Sequence, residues 1–413
     1  MSVGQAPADG DRAIRLRLSA MMFLQYAIWG AWWVTLGTYL NAKGFDGIIG
    51  QVYATQGYAA ILSPLVFGVI ADRHMAAQKL VSILHCVGSV LLMFLSFIEE
   101  SGTLLWLTAF AYMMCFMPTL SLTNAIAMRH LSNSAKQFPA VRVLGTIGWI
   151  AAGLVVGALA AEATSVPIQM AAALSAILAL FATTLPNTAP QANERPRNIA
   201  AMLGFDVMSQ VRDRSFWTFI FASLVICIPL AFYYAYTNLF LTEIGIERAA
   251  AVQTLGQVSE IAFMLALPLC LARFGIKWVL LTGMLAWAAR YALFAAGAGD
   301  NPVVWAILIG IVLHGICYDF FFVAGQIHID KSLPGEARAT GQAFLSFVTL
   351  GVGTVIGNTL ANAVYVSNTA SNGSHDWAAI WAAPAVLAVF AATIFAFSFH
   401  QKHKAGLGNA AES

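Results

Sequence analysis

The sequence predicts an all-α integral membrane protein whose twelve transmembrane helices form two six-helix bundles. Three observations carry this. Of the 413 residues, 60% are hydrophobic and only 10% charged, with a mean hydropathy of +0.76. Apolar runs of about 20 residues, the length that crosses a bilayer as a helix, recur from one end of the chain to the other. Lys and Arg crowd into every second segment between those runs, a pattern that one missed span would scramble.

Each span is bounded by that alternation. The first, 16–40, has Arg12, Arg15 and Arg17 around its start and stops before Lys43. The second, 48–71, leads into Arg73 and Lys79, and the third, 80–98, stops at Glu99 and Glu100. The fourth, 103–128, runs to Arg129 and Lys136, and the fifth, 138–161, to Glu162. The sixth, 166–185, ends in a polar stretch with Pro186, Pro190 and Pro196, followed by Arg195, Arg197, Arg212, Asp213 and Arg214. Beyond it the seventh, 216–241, reaches Glu243 and Arg248; the eighth, 250–271, reaches Arg273 and Lys277; the ninth, 278–297, reaches Asp300. The tenth, 303–329, precedes Lys331 and Arg338, while Asp376 separates the eleventh, 339–366, from the twelfth, 377–399, and Lys402 and Lys404 follow.

The positive-inside rule then places both termini in the cytoplasm, and the expected location is a bacterial inner membrane. The polar stretch 186–215 is read as a cytoplasmic central loop between an N-terminal bundle, 1–185, and a C-terminal bundle with a tail, 216–413. Its portion 199–211 is mildly amphipathic and suits the inner membrane surface. The first span, basic at its start and lacking a small-residue cleavage site, is expected to be retained.

Several function classes drop out. A net charge of +2 records topology and gives no basis for nucleic-acid binding. The five cysteines fall inside spans with no CxxC or Cys/His spacing, so neither a metal nor a cofactor is expected. Gly-x-Ser-x-Gly, His-Glu-x-x-His and P-loop patterns are absent from the sequence, which argues against an enzyme. A monomer working on a small solute within the lipid bilayer is the expectation that remains.

Ionisable residues at bilayer depth are costly and point to a solute pathway. Arg142, Glu260, Arg290 and Asp319 are such residues. Arg142, Thr146 and Trp149 share one face of the fifth span, offering donors and a stacking surface; the other reading is an arginine that snorkels and a lipid-facing indole. Gln257 and Glu260 share a face of the eighth span, as a site or as a buried pair with a neighbouring helix. On the tenth, His314, Tyr318 and Asp319 supply groups of the kind a proton relay needs, and Asp319 could equally hold Arg290 in a static pair. The first span carries Gln25, Trp29 and Trp32 in one row with Thr35 beyond, and the seventh a cluster of Tyr233, Tyr234, Tyr236, Thr237 and Asn238. Interfacial anchoring accounts for some of those aromatics.

The two halves echo each other. Gly68-Val-Ile-Ala-Asp72-Arg73 follows the second span, and Leu271-Ala-Arg273-Phe-Gly275-Ile-Lys277 follows the eighth. That repeat resembles the loop signature of the major facilitator superfamily, with Gly68, Asp72 and Arg73 as gating-loop residues. More specifically, Phe23-Leu-Gln-Tyr-Ala-Ile-Trp29-Gly-Ala-Trp32, Arg142-Val-Leu-Gly-Thr146-Ile-Gly148, Gln257-Val-Ser-Glu260 and Asp319-Phe-Phe resemble the nucleoside:H⁺ symporter family within that superfamily. The resemblance runs from the first span to the last. It implies proton-coupled nucleoside import by alternating access, a proton-coupled sugar, glycoside or aromatic-acid symporter being the alternative. The implied substrate residues are Arg142, Thr146, Trp149, Gln257, Glu260 and Tyr318, joined by Gln25, Thr35, Tyr234, Asn238 and His314; Asp319, Glu260 and Arg290 are the implied proton-coupling residues. Four positions depart from the family: Trp149 stands for Phe, His314 for Tyr, and Ala231 and Tyr234 align with amide side chains.

Overall fold

The computed structural model describes residues 9–190, 203–299 and 301–400. Arg195, Pro196, Arg197, Asp300, Lys402 and Lys404, and the start of the amphipathic stretch, lie outside the described residues. What is described of that stretch is one helical turn, Phe205–Met208. It packs on the eleventh span through Phe205 and Phe344, ring centroids 5.4 Å apart.

Among the described residues the backbone is helical nearly throughout, apart from turns and one isolated bridge between Thr369 and His375. Eight helices there are long and apolar enough to cross a membrane. The fold is nevertheless the twelve-pass one, because the remaining passes are shorter, interrupted or fused.

The first pass is broken, with helices Asp9–Trp32 and Leu36–Ala42. The break has a cause on the second span, where the Tyr53 hydroxyl donates to Trp33 O at 2.5 Å and accepts from Gly37 N at 3.2 Å. Backbone groups freed by the break are thereby satisfied away from water. The second pass is Ile49–Ser63, a π-helical turn Pro64–Gly68, then Val69–Arg73. Gly68, Asp72 and Arg73 thus belong to the helix end, where a loop had been expected. The sixth, Val166–Ala182, is short and opens with Pro167, which suits a first helical turn.

The eighth and ninth passes form one hydrogen-bonded run, Ala249–Gly297, that leaves helical angles at Gly275 (φ 75°, ψ 169°). A positive φ there favours glycine, so the predicted turn is real and depends on that residue. The tenth pass contains a π-helical turn, Asp319–Val323, and the eleventh another, Phe347–Gly353. Such turns shift the register of every side chain beyond them.

Small residues decide how closely the passes approach. A Cβ on Gly148 would run into the Phe23 carbonyl, and one on Gly30 would lie 2.8 Å from the Trp149 backbone. First and fifth spans therefore touch backbone to backbone, the usual device where lipid offers no hydrophobic drive between helices.

The bundles also meet directly at the end bearing loops 43–48 and 244–248. Thr38 Oγ1 donates to Asn238 Oδ1 at 2.7 Å, Gly50 N to Asn362 Oδ1 at 2.8 Å, and Ala250 N to Glu162 Oε1 at 3.3 Å. A Cβ on Gly37 would overlap the Ala235 carbonyl, so first and seventh spans cross there without a gap.

Candidate functional site

Between the bundles lies a chamber of about 100 Å³ lined by Tyr26, Trp29, Arg142, Thr146, Trp149, Tyr234, Gln257, Glu260, His314 and Tyr318. Five of these come from the first and fifth spans and five from the seventh, eighth and tenth. Pockets for small molecules span roughly 300–1,000 Å³, so this one is drawn in around its own side chains. The hydrogen bonds between Thr38, Asn238, Gly50 and Asn362 seal it on one side.

The N-terminal wall is built on the close crossing of spans one and five. With only hydrogen atoms on Gly145, the Tyr26 ring reaches the fifth span, and the Arg142 guanidinium lies over that ring with Cζ 4.0 Å from its centroid. The contact is a cation–π interaction worth about 0.5–2 kcal/mol, and it fixes a long flexible side chain at the chamber edge. One turn on is Thr146, then Trp149, which packs edge-on against Trp29 at 5.4 Å and reaches Tyr234 of the other bundle at 6.4 Å.

The opposite wall rests on another close crossing. A Cβ on Gly315 would lie 2.6 Å from the Ser259 backbone, and Gly315 N donates to Ser259 Oγ at 3.0 Å. That contact brings Glu260 of the eighth span to His314 of the tenth, Oε2 to Nε2 3.9 Å. The His314 ring stacks on Tyr233 (5.0 Å, 21°), whose face also carries the Arg290 guanidinium at 3.8 Å. The chamber therefore presents a carboxylate on one bundle and a guanidinium on the other, with aromatic faces between them.

Eight predicted substrate residues thus share one chamber and make up eight of its ten lining side chains: Arg142, Thr146, Trp149, Tyr234, Gln257, Glu260, His314 and Tyr318, with Glu260 doubling as a predicted proton carrier. Gln25 does not join them. It is fully buried in the N-terminal bundle, where Nε2 donates to Thr119 Oγ1 at 2.8 Å and Oε1 lies 2.9 Å from His85 Nε2, whose Nδ1 lies 2.9 Å from Ser175 Oγ. Gln25→Leu is accordingly expected to destabilise the protein by about 1–3 kcal/mol, the cost of stranding buried polar partners. Thermal unfolding should record the loss while the solute KM in a transport assay stays unchanged.

Thr35 is likewise off the chamber, its hydroxyl donating to Trp32 O at 3.2 Å in the helix break. Asn238 belongs to the seal, accepting from Thr38 and donating from Nδ2 to Gln253 Oε1 at 2.7 Å. Asp319 and Arg290 are both fully buried behind the wall. They form no ion pair with each other among the described residues: Arg290 Nε donates to Gly310 O at 2.9 Å. Neither Asp319 oxygen has a hydrogen-bond partner there. The static pair considered for them is not present.

Tyr26 is the lining residue that sequence reasoning passed over. Its signal was its i, i+3 spacing to Trp29, beside the more conspicuous Gln25.

Comparison with known proteins points to one family. A family model described as nucleoside H+ symporter matches residues 12–404. YegT of Escherichia coli (strain K12) is 39% identical over 399 residues, covering 93% of each chain. Xanthosine permease of the same organism is 30% identical over 407 residues, covering 95% of this chain and 97% of the permease. Among solved structures, the nucleoside transporter NupG superposes with a TM-score of 0.83 at 30% identity, over 94% of this chain and 100% of that one. A mutant of it, with aspartate changed to alanine, gives 0.87 at 29% identity, with the same coverage. The chain belongs to the nucleoside H+ symporter family.

Proposed function

We propose that the chain works as a monomer in a bacterial inner membrane, both termini cytoplasmic, importing a nucleoside with a proton, and that the chamber is where the nucleoside sits. The observation that carries this reading is the meeting of Arg142 from one bundle and Glu260 from the other across a cavity with aromatic walls. Trp149, Trp29 and Tyr234 offer flat faces to a base, a stacking partner every nucleobase can use. Gln257 and Glu260 offer acceptors to ribose hydroxyls, and Arg142 and Thr146 offer donors to the base edge.

The bundles are joined at the 43–48 and 244–248 end, so the state is one closed to that side. With the basic loops cytoplasmic, it is the inward-facing state. Rocking the bundles would break Thr38–Asn238 and Gly50–Asn362 and bring the other ends together, the alternating-access motion of such repeats. Coupling is assigned to Glu260 and Asp319. Glu260 faces both the solute and His314, so its charge and nucleoside occupancy act on each other. Asp319 lies behind Tyr318, and Arg290, held through one hydrogen bond and the Tyr233 ring, is free to change partner as the tenth span moves.

A thermal-shift panel on the purified protein tests the cargo. A ligand at about 100 times its Kd stabilises by roughly 2.7 kcal/mol. Nucleosides should stabilise the protein, and Trp149→Ala should remove most of that effect. Stabilisation by sugars or aromatic acids with none from nucleosides would transfer the cargo to the second class.

A further inference from the structure

A second cavity, of about 580 Å³, lies far from the chamber, between the start of the seventh span and the end of the twelfth. It is lined by Arg212, Arg214, Trp217, Thr218, Phe221, Ile394, Ser398 and His400. Its two walls are pinned together at the rim, where Ser215 Oγ donates to His400 O at 2.9 Å and accepts from His400 N at 3.1 Å.

Both walls change polarity in the same sense. Along the seventh span, Arg214, then Trp217 and Thr218, then Phe221 follow one helix face from the rim inward, at i, i+3, i+4 and i+7. Along the twelfth, read in the same direction, come His400, Ser398 and Ile394. Guanidinium groups and an imidazole stand at the rim, hydroxyls and an indole one turn below, and apolar groups below those. Trp217 is 38% and Phe221 44% exposed. The Trp217 indole is held in place by donation to Val211 O at 2.8 Å.

Arg212 and Arg214 are both exposed. Asp213 between them accepts from Ser215 N at 3.0 Å.

We propose that this cavity binds an anionic phospholipid, its phosphate between Arg212, Arg214 and His400, its glycerol ester region at Thr218 and Ser398, and an acyl chain along Phe221 and Ile394. A matching order of charge, hydroxyl and hydrocarbon over two facing helices is what a phospholipid requires and what a free anion does not. Basic pockets between transmembrane helices near the membrane surface take anionic headgroups, each cation contributing by charge and by donated hydrogen bonds. The site is independent of the nucleoside reading.

The test uses the full chain, delipidated in a neutral detergent and titrated with phosphatidylglycerol, phosphatidylcholine or inorganic phosphate, with thermal unfolding as readout. Phosphatidylglycerol should raise the unfolding temperature, and the other two should not at equal concentration. In the double variant R212Q/R214Q the apparent phosphatidylglycerol affinity should fall roughly 30-fold, about fivefold per charge. Equal shifts from both lipids, a full shift from phosphate alone, or an unchanged double variant would each overturn the lipid site. Should the double variant fail to fold, R212Q alone decides by the same fivefold criterion. Nucleoside-induced stabilisation, measured in the same samples, reports on the chamber separately.

Discussion

Glu260→Gln is expected to abolish uphill nucleoside accumulation while leaving exchange of nucleoside across the membrane. Glutamine keeps the shape of the side chain and its hydrogen-bonding reach but cannot carry a proton across the cycle. The size of the effect follows from the driving force. One pH unit is worth about 1.4 kcal/mol per proton, so a one-to-one symporter can hold about a tenfold nucleoside ratio across that gradient. The variant should settle at a ratio near one in proteoliposomes, with radiolabelled nucleoside counterflow persisting. Glu260 is placed for this role because its carboxylate stands 3.9 Å from His314 and lines the same chamber as Arg142. Should Glu260→Gln accumulate nucleoside like the parent protein while Asp319→Asn loses the gradient response, the coupled proton resides behind the wall, at Asp319.

Gly148→Leu should prevent the chain from folding to its native state. The first and fifth spans touch at this position so closely that even a methyl group would meet the Phe23 carbonyl. Backbone cannot move aside as a flexible side chain can, and overpacking of this kind costs about 1–3 kcal/mol or more. The damage would spread, because the same crossing seats Tyr26 under Arg142 and Trp29 against Trp149. Detergent-solubilised Gly148→Leu should run as aggregate on size exclusion. Gly299→Ala, where a Cβ meets nothing within 4 Å, should behave like the parent. A monodisperse Gly148→Leu with normal nucleoside binding would show that the crossing is loose enough to admit a leucine side chain.

Much of this architecture was readable in the sequence because lipid imposes a simple rule. Every span must satisfy its own backbone, so continuous apolar length and the position of basic loops define the passes. The site faces on spans five and eight were legible for a related reason: these helices run unbroken through Arg142 to Trp149 and through Gln257 to Glu260, and 3.6-residue periodicity fixes which side chains share a side.

Where the reading failed, the cause was contact between distant segments. Gln25 and Tyr26 are about 100° apart around the same helix, and nothing local tells which of them faces the chamber. The partners that claim Gln25, His85 and Thr119, come from the third and fourth spans. Thr35 was misplaced because the helix breaks where Tyr53 of another span captures its backbone. Asp319 follows directly after Tyr318 yet lies behind the wall, at the first residue of a π-helical turn that hydropathy does not reveal. Asn238 was assigned to solute and instead bridges Thr38 and Gln253.

Proton-driven uptake into proteoliposomes carrying only this purified chain tests symport most directly. With the outside made acidic, radiolabelled nucleoside should accumulate above its external concentration, and a protonophore should collapse the accumulation to equilibrium. Uptake that reaches the same level with and without the pH gradient, and ignores the protonophore, would contradict coupling between the chamber and the proton.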